Sequence, residues 1–297
     1  MATLTQTDQK IAPATAIGAV HLTVPSLEHS RAFYERLLGL SATEQPDGSV
    51  LMGGAAGGPP LLSLYGDSSA PPRNPRETGL FHFAVLVPTR RDLAVALVRL
   101  VQGGWRLSGA SDHLVSEALY LSDPDGNGIE IYQDRDRSTW RRDSAGQLQM
   151  ASVPLDIDDL LSELEAAPFD DDADALMPAR TRIGHMHLQV SELVQTEAFY
   201  AGVLGFDVMV RTYPGALFVA AGGYHHHIGL NTWNSRRADA PAPGSAGLRA
   251  YEVRLPDAPA LDAVLARVDR ADVAIEPTTG GAPLIRDPSG NGVLLTV

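Results

Sequence analysis

The residues of this chain best suited to chemistry are two histidines and a glutamate: His82, His185 and Glu130. Two imidazoles and one carboxylate make the facial set that holds iron(II) and leaves coordination positions open for other ligands. The chain has no cysteine, so thiolate metal sites, disulfides and cysteine nucleophiles are excluded. Any metal must therefore be held by His, Asp or Glu. A lone histidine in a strand reads more simply as a core or surface residue, but these lie at matching points of an internal repeat. Residues 17–40 read IGAVHLTVPSLEHSRAFYERLLGL and residues 183–206 read IGHMHLQVSELVQTEAFYAGVLGF, so that Ala19 stands where His185 stands. GLFHFAVLVP (79–88) aligns with GLRAYEVRLP (247–256) and sets His82 against Ala250. DPDGNGIEIY (123–132) aligns with DPSGNGVLLT (287–296) and sets Glu130 against Leu294.

The elements that must position these residues follow from the same repeat. Each half divides again into an alternating apolar strand, a turn, an amphipathic helix and further short apolar runs. Ala32, Phe33, Leu37 and Leu38 mark the apolar stripe of one helix; Leu93, Leu97, Leu100 and Val101 mark that of the next. Asp-Pro-Asp-Gly-Asn-Gly is a strong turn signal between two strands, and Gly126, Asn127 and Gly128 recur in both halves to serve that turn. The expected fold class is α+β, with four β-α-β-β-β units in two domains, 17–135 and 183–297. Residues 1–16 form an N-terminal tail and 136–182 a linker. The linker carries a short helical pattern, DIDDLLSELEAA, and an acidic run, DDDADA, expected to be solvated.

Read down the four units, one column holds Ala19, His82, His185 and Ala250, so each half carries only part of the ligand set. The economical arrangement pairs units two and three and leaves units one and four as a metal-free pair. The site would then lie between the halves. Strand alternation along GIEIY sends Glu130 to the face opposite Ile129 and Ile131, toward a sheet concavity.

Composition bounds the partners. The 297 residues are 44% hydrophobic and 20% charged, as in ordinary globular domains. A net charge of −13 with no basic cluster argues against nucleic acid. The N-terminal stretch has no apolar signal core, and no apolar run reaches the length of a membrane span. A cytoplasmic protein with no membrane partner is the expectation.

The four units, the FYxxxLG segment and the DPxGNxxE turn-strand resemble the vicinal oxygen chelate superfamily, with its curved mixed sheets. Within it the chain is most similar to two-domain extradiol dioxygenases of the catechol 2,3-dioxygenase type. The resemblance implies Fe(2+), with manganese as the alternative, held by His82, His185 and Glu130. It implies an aromatic diol and O2 as substrates, meta-cleavage to a ring-opened semialdehyde, and a place in aromatic catabolism. Homo-oligomerisation is compatible with it. Tyr120, ten residues before Glu130, and His113 match family residues that hydrogen-bond the substrate. His226, within Tyr224-His225-His226-His227-Ile228, takes the place of the acid–base histidine. In that family the ligands normally come from one half, so their division here is a departure. Two further functions stay open: a glyoxalase-like metal-dependent lyase or isomerase, and a metal-free aromatic-drug-binding resistance protein.

The other histidines are assigned from pattern. If residues 225–227 lie on a strand, His225 and His227 face one way and His226 the other. His21 and His187 recur two residues past the ligand column, and that recurrence suggests a structural role for both. His29 belongs to a solvent-facing helix start.

Overall fold

The computed structural model describes residues 10–297 other than 145 and 147. Most of the expected tail therefore lies outside the described residues. Unit one comprises β1 (Ala16–Val24), α1 (Leu27–Leu38), β2 (Ser41–Glu44), β3 (Val50–Gly53) and β4 (Pro60–Gly66). Unit two comprises β5 (Gly79–Leu86), α2 (Arg90–Gln102), β6 (Gly109–Asp112), β7 (Ser116–Ser122) and β8 (Gly128–Asp134). The linker contributes β9 (Val153–Pro154) and α3 (Ile157–Ser162). Unit three comprises β10 (Arg182–Gln189), α4 (Leu193–Glu197), β11 (Asp207–Val210), β12 (Ala216–Ala220) and β13 (Ile228–Asn231). Unit four comprises β14 (Gly247–Arg254), α5 (Ala258–Arg270), β15 (Leu284–Arg286) and β16 (Gly292–Thr296). In unit four an isolated bridge between Glu276 and Leu284 replaces one strand. The Pro and Gly residues of EPTTGGAP there interrupt a longer ladder.

Helix boundaries follow the local sequence. Ser26 and Thr89 cap α1 and α2, Thr89 in a capping box with Asp92, and Gly39 closes α1 at φ 65°. The helix of unit three continues from α4 into a π-helical turn at Ala198–Val203. No helix among the described residues is long and apolar enough to cross a membrane.

The strands form two sheets, and each sheet draws on both halves of the chain. One runs β15-β16-β14-β1-β4-β3-β2; the other runs β11-β12-β13-β10-β5-β8-β7-β6-β9. The seams are antiparallel, β1 with β14 and β5 with β10. Units two and three therefore share a sheet, as the divided ligand set requires. Ile129 and Ile131 enter the hydrophobic core on one face of that sheet; Glu130 points from the other.

Each half is tied internally by its own repeat. The Tyr34 hydroxyl of α1 donates to Asp123 Oδ2 at 2.8 Å, inside the DPDGNG turn of unit two. Tyr200 does the same to Asp287 in unit four at 3.1 Å. Asp123 also accepts from the backbone N–H groups of Asp125 and Asn127, which fixes the turn that launches β8. The FY and DPxGN motifs thus recur because one holds the other.

Candidate metal centre

Three neighbouring strands deliver the ligand set. His82 is on β5, Glu130 on the parallel strand β8, and His185 on the antiparallel strand β10. Ala84 on β5 pairs with both Glu130 and His185, so these two flank it on one face, with His82 two residues along that face. The methyl group of Ala84 leaves the space between them open. Gly184, beside a register shift in β10, makes the strand fit: a Cβ there would collide with the Tyr132 hydroxyl.

Glu130 Oε2 lies 3.0 Å from His82 Nε2 and 3.0 Å from His185 Nε2. The ligand atoms of the three residues all fall within 4.8 Å of one another. All three side chains are buried, yet His82 Nε2 has no aligned hydrogen bond despite its short distance to the carboxylate, and His185 Nδ1 has no partner. Buried polar atoms are normally satisfied. A cation between the two Nε2 atoms and the carboxylate would satisfy His82, and this donor set suits iron(II). Burial pushes His185 down to about 4, partly opposed by Glu130. Burial would raise Glu130, but His185 and His82 outweigh it and hold the carboxyl well below the usual range. A neutral imidazole and an ionised carboxylate are the forms that ligate metal.

The centre forms part of the floor of a cleft of about 540 Å³. One wall is aromatic: Phe81 lies 5.0 Å from His187 and 5.3 Å from Trp233, ring centre to ring centre, and Phe218 lies 5.0 Å from His226. Tyr120 and His113 also line the cleft, with linker residues 148–152. His113 Nδ1 donates to the Ala151 carbonyl at 2.7 Å, which leaves its Nε2 to accept from the Tyr120 hydroxyl at 2.7 Å. Burial first, and Glu130 second, push the Tyr120 phenol well above its ordinary range, so it stays a donor.

The histidine run departs from the strand expectation. Residues 225–227 lie in the irregular, bent segment between the turn at 222–223 and β13, so strand alternation does not apply. His225 and His226 both pack inward, with ring centres 4.6 Å apart, and His226 lies 4.1 Å from His185. His227 instead caps a neighbouring turn, accepting from Ala221 N–H at 3.1 Å.

The structure brings His82, Glu130 and His185 together, sets His226 against His185, and pairs His113 with Tyr120. It also separates His21 from His187. His21 Nε2 lies 3.2 Å from Glu252 Oε1, and its Nδ1 lies 3.3 Å from the Tyr65 hydroxyl. His187 lines the cleft and its buried Nε2 has no partner. Glu252 stands at the repeat position of Ala84. A carboxylate thus stands in the sheet of units one and four where the other sheet keeps the small side chain of Ala84. The signal missed in the sequence was that position, compared across units two and four.

A family model described as the Glyoxalase/Bleomycin resistance protein/Dioxygenase superfamily matches residues 16–131 and 182–295. A protein of Bacillus subtilis (strain 168) named catechol-2,3-dioxygenase is 46% identical over 277 residues, covering 92% of this chain and 94% of its own. The fold is similar to the crystal structure of a candidate dioxygenase from Bacillus subtilis, with a TM-score of 0.64 at 14% identity over 96% of this chain and 85% of that one. It is also similar to glyoxalase I from Zea mays, with a TM-score of 0.54 at 15% identity over 95% and 92%. At such identities the two structures bear on the fold alone.

Proposed function

The chain belongs to the Glyoxalase/Bleomycin resistance protein/Dioxygenase superfamily, and on that premise we propose that it is a non-haem iron(II) extradiol dioxygenase. Its substrates would be a catechol-type aromatic diol and O2, and its product a meta-cleaved semialdehyde. The observation that carries this reading is the convergence of His82, His185 and Glu130 on one point at the floor of an aromatic-walled cleft. The name of the Bacillus subtilis relative supports it. Residues 17–135 and 183–297 are read as the duplicated domains, each giving one unit to the ligand-bearing sheet.

Iron(II), or manganese(II) on the same ligands, would supply Lewis acidity toward the diol and positions for it and O2. The remaining work belongs to side chains. His226, kept neutral by burial and by neighbouring histidines, would take a hydroxyl proton and later return it. Tyr120, oriented by His113, would turn its hydroxyl to the substrate oxygens and hold charge there as it develops. Phe81, Phe218 and Trp233 would pack the ring.

Anaerobic purification, metal analysis and addition of catechol in air test the proposal. Bound iron, O2 uptake and a yellow product are expected. Zinc or nickel without O2 uptake would point to a lyase or isomerase, and a metal-free aromatic binder to a resistance protein; either outcome overturns it.

A further inference from the structure

Beneath the cleft a chain of hydrogen bonds runs from the end of β8 to His226. Asp134 Oδ2 accepts from the Tyr224 hydroxyl at 2.9 Å, and Tyr224 in turn accepts from Tyr132 at 2.7 Å. Burial raises both phenols well above their ordinary range, so both keep their protons. Asp134 Oδ1 lies 2.9 Å from His225 Nε2. His225 Nδ1 lies 2.8 Å from His226 Nδ1. His225 is wholly buried.

We propose that Asp134 is a positioning residue that acts through His225 to fix the tautomer of His226, leaving Nε2 of His226 as the proton acceptor at the cleft. A carboxylate has only lone pairs to offer, so His225 Nε2 must carry the hydrogen between them. A neutral imidazole has one N–H, so His225 Nδ1 is then an acceptor. The facing His226 Nδ1 must therefore be the donor, and the remaining nitrogen of His226 carries a lone pair. The hydrogen bond made by one ring nitrogen sets the state of the other. His226 lines the cleft. A base that takes a proton from a bound hydroxyl needs that lone pair in place before substrate arrives. The opposite tautomer would present an N–H to the substrate and could accept nothing. The inference rests on the dioxygenase reading for its catalytic meaning; the tautomer follows from the hydrogen bonds of a neutral His225, since a protonated one would donate from Nδ1 as well.

Two-bond 1H–15N correlation spectra of histidine-labelled protein, loaded with diamagnetic zinc(II), read each imidazole directly. The expected result is His226 protonated at Nδ1 and bare at Nε2. His226 protonated at Nε2 overturns the proposal, and the wild-type spectrum alone decides this. In Asp134→Ala the tautomer should no longer be fixed, and in the iron enzyme kcat should fall about a hundredfold with KM within about twofold. Asp134→Asn can still accept from His225 Nε2 through its amide oxygen and should keep the wild-type tautomer and most of kcat. An unchanged His226 tautomer in a folded Asp134→Ala protein also overturns the proposal. If the predicted tautomer is found in a protein that cleaves no catechol, the positioning stands and the proposed function falls.

Discussion

The rings of His82 and His185 lie 5.6 Å apart, centre to centre, at 68° to each other, on adjacent strands contributed by different halves of the chain. Their Nε2 atoms share one oxygen of Glu130. Neither half holds the set alone, so the two histidines must fail in the same way. His82→Ala and His185→Ala should each lower bound iron at least about tenfold while the protein stays folded. Metal analysis after dialysis checks this. Retention of full metal by either variant would show that the ligands are elsewhere.

His187 and His21 should respond differently although they are repeat equivalents. His187→Leu should raise the KM for catechol about tenfold with iron content unchanged, because His187 lines the cleft with a buried Nε2 that has no partner. His21→Leu should leave KM alone and cost about 1 kcal/mol in urea unfolding, from its part-buried contact with Glu252. Equal effects on KM would contradict this division.

Acid should destabilise the metal-free protein. His185, depressed to about 4 by burial, is neutral when folded but takes up a proton near 6.5 when unfolded. Its stabilising effect is complete above about pH 6.5 and lost as pH falls toward 4, since the unfolded state binds the extra proton. His226 and His187 are depressed in the same direction. Glu130, held well below its ordinary range, adds a further loss below about pH 4.5. Unfolding at pH 7 and pH 5 should differ by about 1–2 kcal/mol or more in favour of pH 7. A flat or rising profile on acidification would contradict these assignments.

Tyr34→Phe should destabilise without touching the chemistry. Its hydroxyl satisfies the buried Asp123, so its loss should cost about 1–3 kcal/mol. Iron content and kcat should hold at permissive temperature, as thermal melts and assays would show.

Much of this was legible before the structure because duplication exposes difference. The repeat placed His82 and His185 in one column and set Glu130 against Leu294, and two-residue alternation gave Glu130 its face. The divided set required units two and three to meet, and β5 and β10 do so. What escaped the sequence was local conformation and partner identity. The histidine run lies in an irregular, bent segment rather than a strand, so adjacent His225 and His226 both turn inward. Recurrence of His21 and His187 suggested a shared structural role, but their surroundings diverged through Glu252 and Ala84. Asp134 carried no motif; only its distance to His225 reveals it.

The most direct measurement is O2 consumption by the iron-reconstituted wild-type protein on addition of catechol, recorded with the product spectrum. One O2 consumed per catechol, with a yellow semialdehyde, is the predicted result. No uptake at full iron loading, or a colourless product cleaved between the hydroxyls, would contradict extradiol cleavage at the His82–Glu130–His185 centre.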